Sequence, residues 1–311
     1  KEKNPTILGH EICGTIVAFG NKAPKIDCRH NNIAVGDLIT WAIYASDPSE
    51  AMSLKGIPQK AAGLFKYGHE EITETSHLHG GLSEYIILRP HTPIIKPLVD
   101  VPVQILTIVN CAVATAAGAI RIAGNIEGAN VVIAGAGMLG VIACAMAKSK
   151  GAKNIIAIDI ENERLKMSTS FGATHTVHLD TINSFQNFSN WLTYNKLQID
   201  CFIDFSGEPT TIDILLKQLS VGGTAVFIGS TYPQQNITIN AETIVRNIWT
   251  IKGLHNYNES DLIEAVHFVE SHYQEYPIST LVKGGFTLET CKLAFDYAIE
   301  EHPYRVGISL K

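Results

Sequence analysis

Residues Val131 to Ala134 form an apolar run that leads directly into Gly135, Gly137 and Gly140, spaced G-x-G-x-x-G. No other feature constrains the fold as strongly. The run predicts a buried strand, and the glycines predict a turn. Val141 to Lys150, rich in Ala, Cys and Met, reads as a helix. A second apolar strand, Ile155 to Ile158, follows and ends at Asp159. Three glycines alone say little. Strand, turn, helix, second strand and terminal acid in this order specify a dinucleotide-binding βαβ unit.

Each position in the turn has a physical task. Gly135 permits the tight turn, Gly137 lets a pyrophosphate approach the backbone, and Gly140 allows close helix–sheet packing. Met138 and Leu139 open the helix, where unpaired N–H groups and the helix dipole favour phosphate. Asp159 follows Gly140 by about the ~20 residues expected of an acid that receives the adenosine ribose hydroxyls. A 2′-phosphate would meet a like charge there, so NAD is expected rather than NADP. The alternative is an ordinary βαβ crossover whose glycines serve only the turn.

At 311 residues the chain is about two domains long, given ~150 residues per domain. Its composition, 46% hydrophobic and 17% charged, supplies a large core and excludes disorder. A net charge of −6 without any Lys/Arg block argues against nucleic acid. No continuous apolar run reaches the ~18 residues of a membrane span, and no membrane partner is expected. Cysteines 13, 28, 111, 144, 201 and 291 are scattered. That pattern suits reduced thiols in a cytoplasmic protein better than a disulfide framework. The sequence starts at Lys1 without Met, and a preceding segment is expected.

Residues 7–45 and 82–96 carry short β-like runs, among them Gly14–Phe19, Leu38–Tyr44 and Tyr85–Leu88. Residues 46–80 form a polar lobe punctuated by Gly and Pro. A helical pattern spans about 104–123. Strands at 131–134, 155–158, 201–205, 224–228 and 250–252 then alternate with helices, as in a parallel sheet covered on both faces. One of these helices, Thr210–Leu219, is expected to stop at Gly222-Gly223. Helices at Ser260–His272 and Leu288–Glu300 and a strand at Val306–Leu310 close the chain. The expected fold class is α/β. A doubly wound Rossmann coenzyme domain (113–253) joins a β-rich domain built from 1–112 and 254–311.

A second motif, Gly9-His10-Glu11-Ile-Cys-Gly14, joins the glycine turn. Gly36-Asp37, Gly81-Leu-Ser-Glu-Tyr85, Cys111 ahead of Thr115, Asp204-Phe-Ser-Gly207 and Ile228-Gly229 follow in order. Across nearly its whole length the chain resembles the medium-chain dehydrogenase/reductase family of zinc alcohol dehydrogenase type. The resemblance makes the first domain GroES-like. A nearer likeness is to the alcohol dehydrogenases associated with phosphonate catabolism. It rests on Gly56-Ile-Pro-Gln-Lys60, Leu64-Phe-Lys-Tyr-Gly-His-Glu70 and Asn110-Cys-Ala-Val-Ala-Thr115.

The resemblance implies a catalytic zinc held by His10 and Cys111. Glu11 is either an exchangeable ligand or a neighbour of the ligands. A catalytic zinc site wants three protein ligands and an open position. The family's first ligand is a Cys from a segment ahead of Gly-His-Glu. None of the eight residues before Gly9 is Cys, and the relay hydroxyl of that segment has no counterpart here. The four cysteines of a structural zinc site fall at Asp47, Glu50, Ser53 and Ala61, so no structural zinc is expected. The resemblance puts Thr115 near the nicotinamide and Arg305 on the pyrophosphate. Arg164 stands beside the adenosine, with Ser206 and Ile228 at strand ends facing the cofactor. Solvated surface charge is the alternative for both arginines. His69-Glu70 reads as part of a substrate-lining segment, His77 and His79 as loop residues.

The implied reaction is hydride transfer between a small alcohol, with a phosphonate-bearing one included, and NAD. A homodimer or homotetramer through Ile237–Lys252 is expected. Two alternatives stay open: a zinc-free quinone or enoyl reductase, which would not need His10 and Cys111, and a non-catalytic NAD-binding protein.

Overall fold

The computed structural model describes residues 4–179 and 182–310, apart from the side chains of 182–185. The first three residues lie outside the described ones. The chain forms two compact units, residues 1–114 with 256–311 and residues 115–255.

The first unit begins with β1 (Cys13–Thr15), β2 (Leu38–Trp41), β3 (Tyr44–Ala45), α1 (Ala51–Leu54), β4 (Phe65–Lys66) and β5 (Ile94–Ile95). β1, β2 and β5 make an antiparallel sheet, and β3 pairs with β4. Ile12, Ile39, Trp41 and Tyr67 form its core. The strands are shorter than the β-like runs because their ladders break off. After Thr15 the Ile16 N–H still reaches the Asp37 carbonyl, the next rung, but the Ile16 carbonyl then receives Gly36 N–H. In the run 38–44 Ala42 N–H still reaches Pro93 in line with β5, and the run divides at Ile43, whose N–H goes to the Tyr257 phenol. Tyr85–Leu88 forms no strand. The Tyr85 carbonyl receives the Ser83 hydroxyl, and Ile87 N–H donates to Leu78.

The helical stretch divides into α2 (Val103–Ile108), a π-helical turn (Val109–Val113) and α3 (Ala114–Ala123). Together these 21 residues, of mean hydropathy 1.8, are long and apolar enough to cross a membrane. The sequence reading of no such span missed them, because scattered polar residues interrupt the run. Burial of 78% of the most apolar window marks a core helix.

The second unit continues with β6 (Asn130–Ala134), α4 (Met138–Ser149), β7 (Asn154–Asp159), α5 (Asn162–Ser170), β8 (His175–His178), α6 (Ile182–Asn195), β9 (Ile199–Asp204), α7 (Pro209–Gln218), β10 (Leu219–Phe227), α8 (Ala241–Asn247) and β11 (Thr250–Gly253). The six strands form one parallel sheet in the order β11-β10-β9-β6-β7-β8. Val132, Ala134, Ile156, Phe202 and Ala225 sit in its core. Gly222-Gly223 does not stop α7, which ends at Gln218. The pair lies inside β10, where the register with β9 breaks between Leu219 and Thr224. β8 is too short and polar to show an apolar pattern, whereas α6 carries Phe185, Phe188, Trp191 and Leu192 at helical spacing. The strand order reverses between β6 and β9, and the carboxyl ends of strands at such a switch point are where doubly wound sheets bind ligands.

The chain completes the first unit with α9 (Glu259–His272), β12 (Val282–Thr287), α10 (Cys291–Glu301) and β13 (Arg305–Ser309). A capping box between Asn258 and Asp261 starts α9. β12 and β13 pair in parallel, and α9 packs against the π turn.

Candidate metal centre and cofactor turn

Within the first unit, His10 and Glu11 lie just ahead of β1, and Cys111 lies in the π turn. One ligand atom from each falls within 4.8 Å of the others. Among the described residues this is the His/Cys/Asp/Glu group so gathered. Imidazole nitrogen, thiolate and carboxylate form a donor set that zinc accepts. Burial lowers the His10 pKa, opposed by Glu11, and so favours the neutral imidazole that binds metals. Burial pushes the Cys111 thiol far up, and the Glu11 charge adds to this. Without a cation the sulfur stays protonated, whereas a coordinated thiol is deprotonated outright.

Arg305 is held by Glu11. Its Nε donates to one carboxylate oxygen at 2.6 Å and its Nη2 to the other at 3.1 Å, while Nη1 reaches the Tyr304 carbonyl at 2.9 Å. Burial acts against the guanidinium charge, but Glu11 more than offsets it and the net shift is upward. The expectation of a pyrophosphate partner thus meets an arginine whose nitrogens are all engaged within its own unit. The planar fork matches a carboxylate as well as it matches a phosphate.

The segment 66–69 borders the cluster. The His69 ring lies 5.0 Å from that of His10, and its Nδ1 is 2.9 Å from the Tyr67 carbonyl. Since a carbonyl only accepts, that contact puts the proton on Nδ1 and leaves Nε2 as an acceptor. Lys66, its own charge disfavoured first by burial and then by Lys60, also lies within electrostatic reach of His10 and Cys111. Gly68, at φ +75°, makes this approach possible, because a Cβ there would fall 2.5 Å from the Gly9 carbonyl oxygen. His79 is more than a loop residue. It is 2% exposed, packs edge-on against Phe65 and leaves both ring nitrogens without a hydrogen bond.

Asn110 has a place in a sequence motif but no role there, and Tyr257 is not marked by the sequence at all. The Asn110 Oδ1 accepts from Ile12 N–H at 3.2 Å, and its Nδ2 donates to the His10 carbonyl at 2.9 Å. The buried Tyr257 hydroxyl donates to the Asn110 carbonyl and accepts from Ile43 N–H at 3.0 Å. Asn110 stood next to a candidate ligand, which was a usable signal. Tyr257 had none.

Asp47 and Glu50 use their carboxylates locally, to receive Ser49 and the N–H of Met52 at the start of α1. Ser53 and Ala61, the other two positions of that set, lie in α1 and just after the 3-10 turn Pro58–Lys60.

In the second unit, the turn from β6 into α4 has the shape a pyrophosphate needs. A Cβ on Gly135, at φ +91°, would lie 2.9 Å from Ser206 N, and one on Gly140 only 1.8 Å from the Gly135 carbonyl oxygen. A Cβ on Gly137 would meet nothing within 4 Å. So two glycines are required by packing, and the third leaves open space in front of the N–H groups of Met138 and Leu139. Asp159 ends β7. Its Oδ2 accepts from Ala136 N–H at 2.6 Å and its Oδ1 from Glu161 N–H at 2.9 Å, so it braces the turn. Each oxygen retains a lone pair for a further donor.

The buried Asp204 organises the neighbouring strand ends. Its Oδ1 accepts from the Ser206 hydroxyl at 2.6 Å and from Ser206 N–H at 3.0 Å, and its backbone carbonyl receives Ile228 N–H at 2.9 Å. Thr115 is buried in α3, and Arg164 lies half-buried on α5.

The zinc-binding dehydrogenase family matches residues 139–271. The chain is 26% identical to D-xylulose reductase A of Aspergillus niger over 302 residues, 94% of this chain and 77% of the relative. It is likewise 26% identical to L-threonine 3-dehydrogenase of Protochlamydia amoebophila over 279 residues, 89% and 75% of the two chains. An alcohol dehydrogenase structure from Thermotoga maritima superposes with a TM-score of 0.88, at 24% identity over 98% of this chain and 84% of that one. The fold is that of the medium-chain alcohol dehydrogenases, an α/β architecture with a six-stranded Rossmann sheet. The chain is thus similar to zinc-dependent alcohol and polyol dehydrogenases, and the match to the family model covers under half of its length.

Proposed function

We propose that the protein oxidises a small polar alcohol, or reduces the matching carbonyl compound, with zinc and NAD. The observation that carries this is the gathering of His10, Glu11 and Cys111 within 4.8 Å in a chain that also holds a complete glycine turn. His10 and Cys111 would hold the zinc. Glu11 stands beside them, its charge balanced by Arg305. Bound zinc supplies Lewis acidity, which lowers the pKa of an alcohol and polarises a carbonyl, and bound NAD supplies a hydride acceptor. The chain's own residues position and tune. Burial keeps His10 neutral, and Arg305 keeps Glu11 from adding a full negative charge to the cluster.

The proposed cofactor contacts are Gly135, Gly137, Met138, Leu139, Gly140, Asp159, Ser206 and Ile228, with Thr115 toward the nicotinamide and Arg164 toward the adenosine. The charge of Asp159 at the end of β7 supports NAD over NADP. The positive charge of Lys66 beside the cluster supports an alcohol bearing an anionic group, and a phosphonate-bearing alcohol is the substrate to try first. β11, the edge of the sheet, with exposed Val245 and Ile248 close by, supports assembly of copies through 237–252.

Metal analysis combined with alcohol-dependent NAD reduction tests the reading on the full-length protein. About one zinc per chain with turnover is the expected result. NAD binding without metal or turnover would instead favour a non-catalytic binding protein.

A further inference from the structure

We propose that Asn110 is the positioning residue of the metal cluster, and that Tyr257 locks it in place. The inference rests on the metal reading above. His10 and Glu11 are about a hundred residues from Cys111 in the sequence. Something must hold these two stretches in register. Strand pairing does not, because β1 meets β2 only from Cys13 onward, where Cys13 faces Thr40.

The Asn110 carboxamide takes over where that pairing ends. The chain bends at Glu11, ahead of β1. The His10 carbonyl and the Ile12 N–H flank this bend. Asn110 bonds both, its Nδ2 donating to the carbonyl at 2.9 Å and its Oδ1 accepting from the N–H at 3.2 Å. The peptide groups on either side of Glu11 are therefore fixed by the residue directly before Cys111. The Thr40 hydroxyl, donating to the Ile12 carbonyl at 3.2 Å, holds the next peptide.

The π turn gives Asn110 its place. Such turns insert one residue into a helix and cluster at functional sites. The Tyr257 phenol, anchored to Ile43 N–H, caps the Asn110 carbonyl from within the core. A fully buried carboxamide costs free energy unless its polar atoms are bonded. Packing alone would be served by Leu at this position. A residue spending both polar atoms on the backbone around Glu11 indicates control of ligand geometry.

Cobalt(II) titration of the full-length protein tests this, read by the visible d–d bands and the near-ultraviolet thiolate band. Asn110→Ala and Asn110→Asp are each expected to lose roughly 10–100-fold in cobalt affinity, the range for partners that orient metal ligands, and to shift the d–d bands. Asp keeps the acceptor for Ile12 but turns a second acceptor toward the His10 carbonyl. Tyr257→Phe is expected to shift the bands in the same direction by less. Ile278→Ala, which cuts a cavity in the same unit without removing a hydrogen bond of the cluster, should lower Tm and leave cobalt affinity within about twofold. Equal affinities across the Asn110 variants and wild type would overturn the proposal, as would an equal loss in Ile278→Ala. A wild-type protein without any cobalt band would overturn the metal reading itself, and the role of Asn110 with it.

Discussion

The cofactor turn of residues 115–255 is made of backbone. Three glycines, two helix N–H groups and one bracing carboxylate come from a stretch of 25 residues, 135 to 159. The metal cluster of the other unit is made of side chains from four separate places, at 10–11, 66–69, 110–111 and 305. The first device tolerates no bulk and depends on shape. The second depends on which atoms meet, and on a buried amide and phenol that appear in no motif. A site of the first kind fails when a methyl is added. A site of the second kind fails when a single heteroatom is removed.

Substitution can break this contrast, and the largest effect belongs to the ligands. His10→Ala should abolish zinc binding and reduce turnover by on the order of a thousandfold or more, since the residue acts in the reaction step itself. NAD affinity should stay within about twofold, since none of the residues proposed to hold NAD is changed. Metal analysis, turnover and calorimetric NAD titration on one preparation check this, and retained activity would sink the metal assignment.

The glycines come next and should separate from one another. Gly140→Ala puts a Cβ 1.8 Å from a backbone oxygen, so the helix must shift. Overpacking of this kind costs about 1–3 kcal/mol or more, and NAD affinity should fall with Tm. Gly137→Ala meets open space and should leave stability within about 0.5 kcal/mol. Its methyl nevertheless stands where the pyrophosphate must approach, so NAD affinity should fall roughly tenfold, about 1.4 kcal/mol. Equal Tm losses in the two variants would show that their roles are not distinct.

Asp159→Asn gives the smallest effect. The amide oxygen can still receive Ala136 N–H, but the amide nitrogen cannot receive Glu161 N–H, so half of the brace survives. Removing the charge should move the ratio of NAD to NADP affinity toward NADP by about tenfold, or 1.4 kcal/mol. An unchanged ratio would show that the carboxylate does not face the ribose.

The same contrast explains what could be read before the structure was in hand. The parallel sheet and its glycine turn were visible because apolar runs and glycine spacing report directly on local geometry. His10 and Cys111 were visible only through resemblance, and nothing in their spacing places them together. Arg305 was assigned to phosphate because its chemistry fits either anion, and only the fold reveals Glu11 in its fork. Tyr85–Leu88 looked like a strand because its residues favour β structure, yet its backbone groups are taken by Ser83 and Leu78. β8, four residues long and half histidine, offers no apolar pattern, while the spacing of Phe185, Phe188, Trp191 and Leu192 was a usable signal for α6. Asn110 was quoted in a motif without a role, since a carboxamide shows its purpose only beside its partners.

The close approach of Gly68 to Gly9 has a consequence for how this protein could be reshaped. Beyond it the chain is tied down again, where Ile72 N–H donates to Pro5 and Gly81 N–H to Gly9. Between those ties Thr73 and Ser76 close a turn, and Arg89 donates to the Ser76 hydroxyl. Loop length there becomes an adjustable quantity, since residues inserted between Thr73 and Ser76 need not displace His69. Bulk at position 68 is forbidden outright. On the proposed function, new substrate ranges are best sought by exchanging Lys66 and His69, on either side of a fixed glycine, while the turn beyond is lengthened between Thr73 and Ser76.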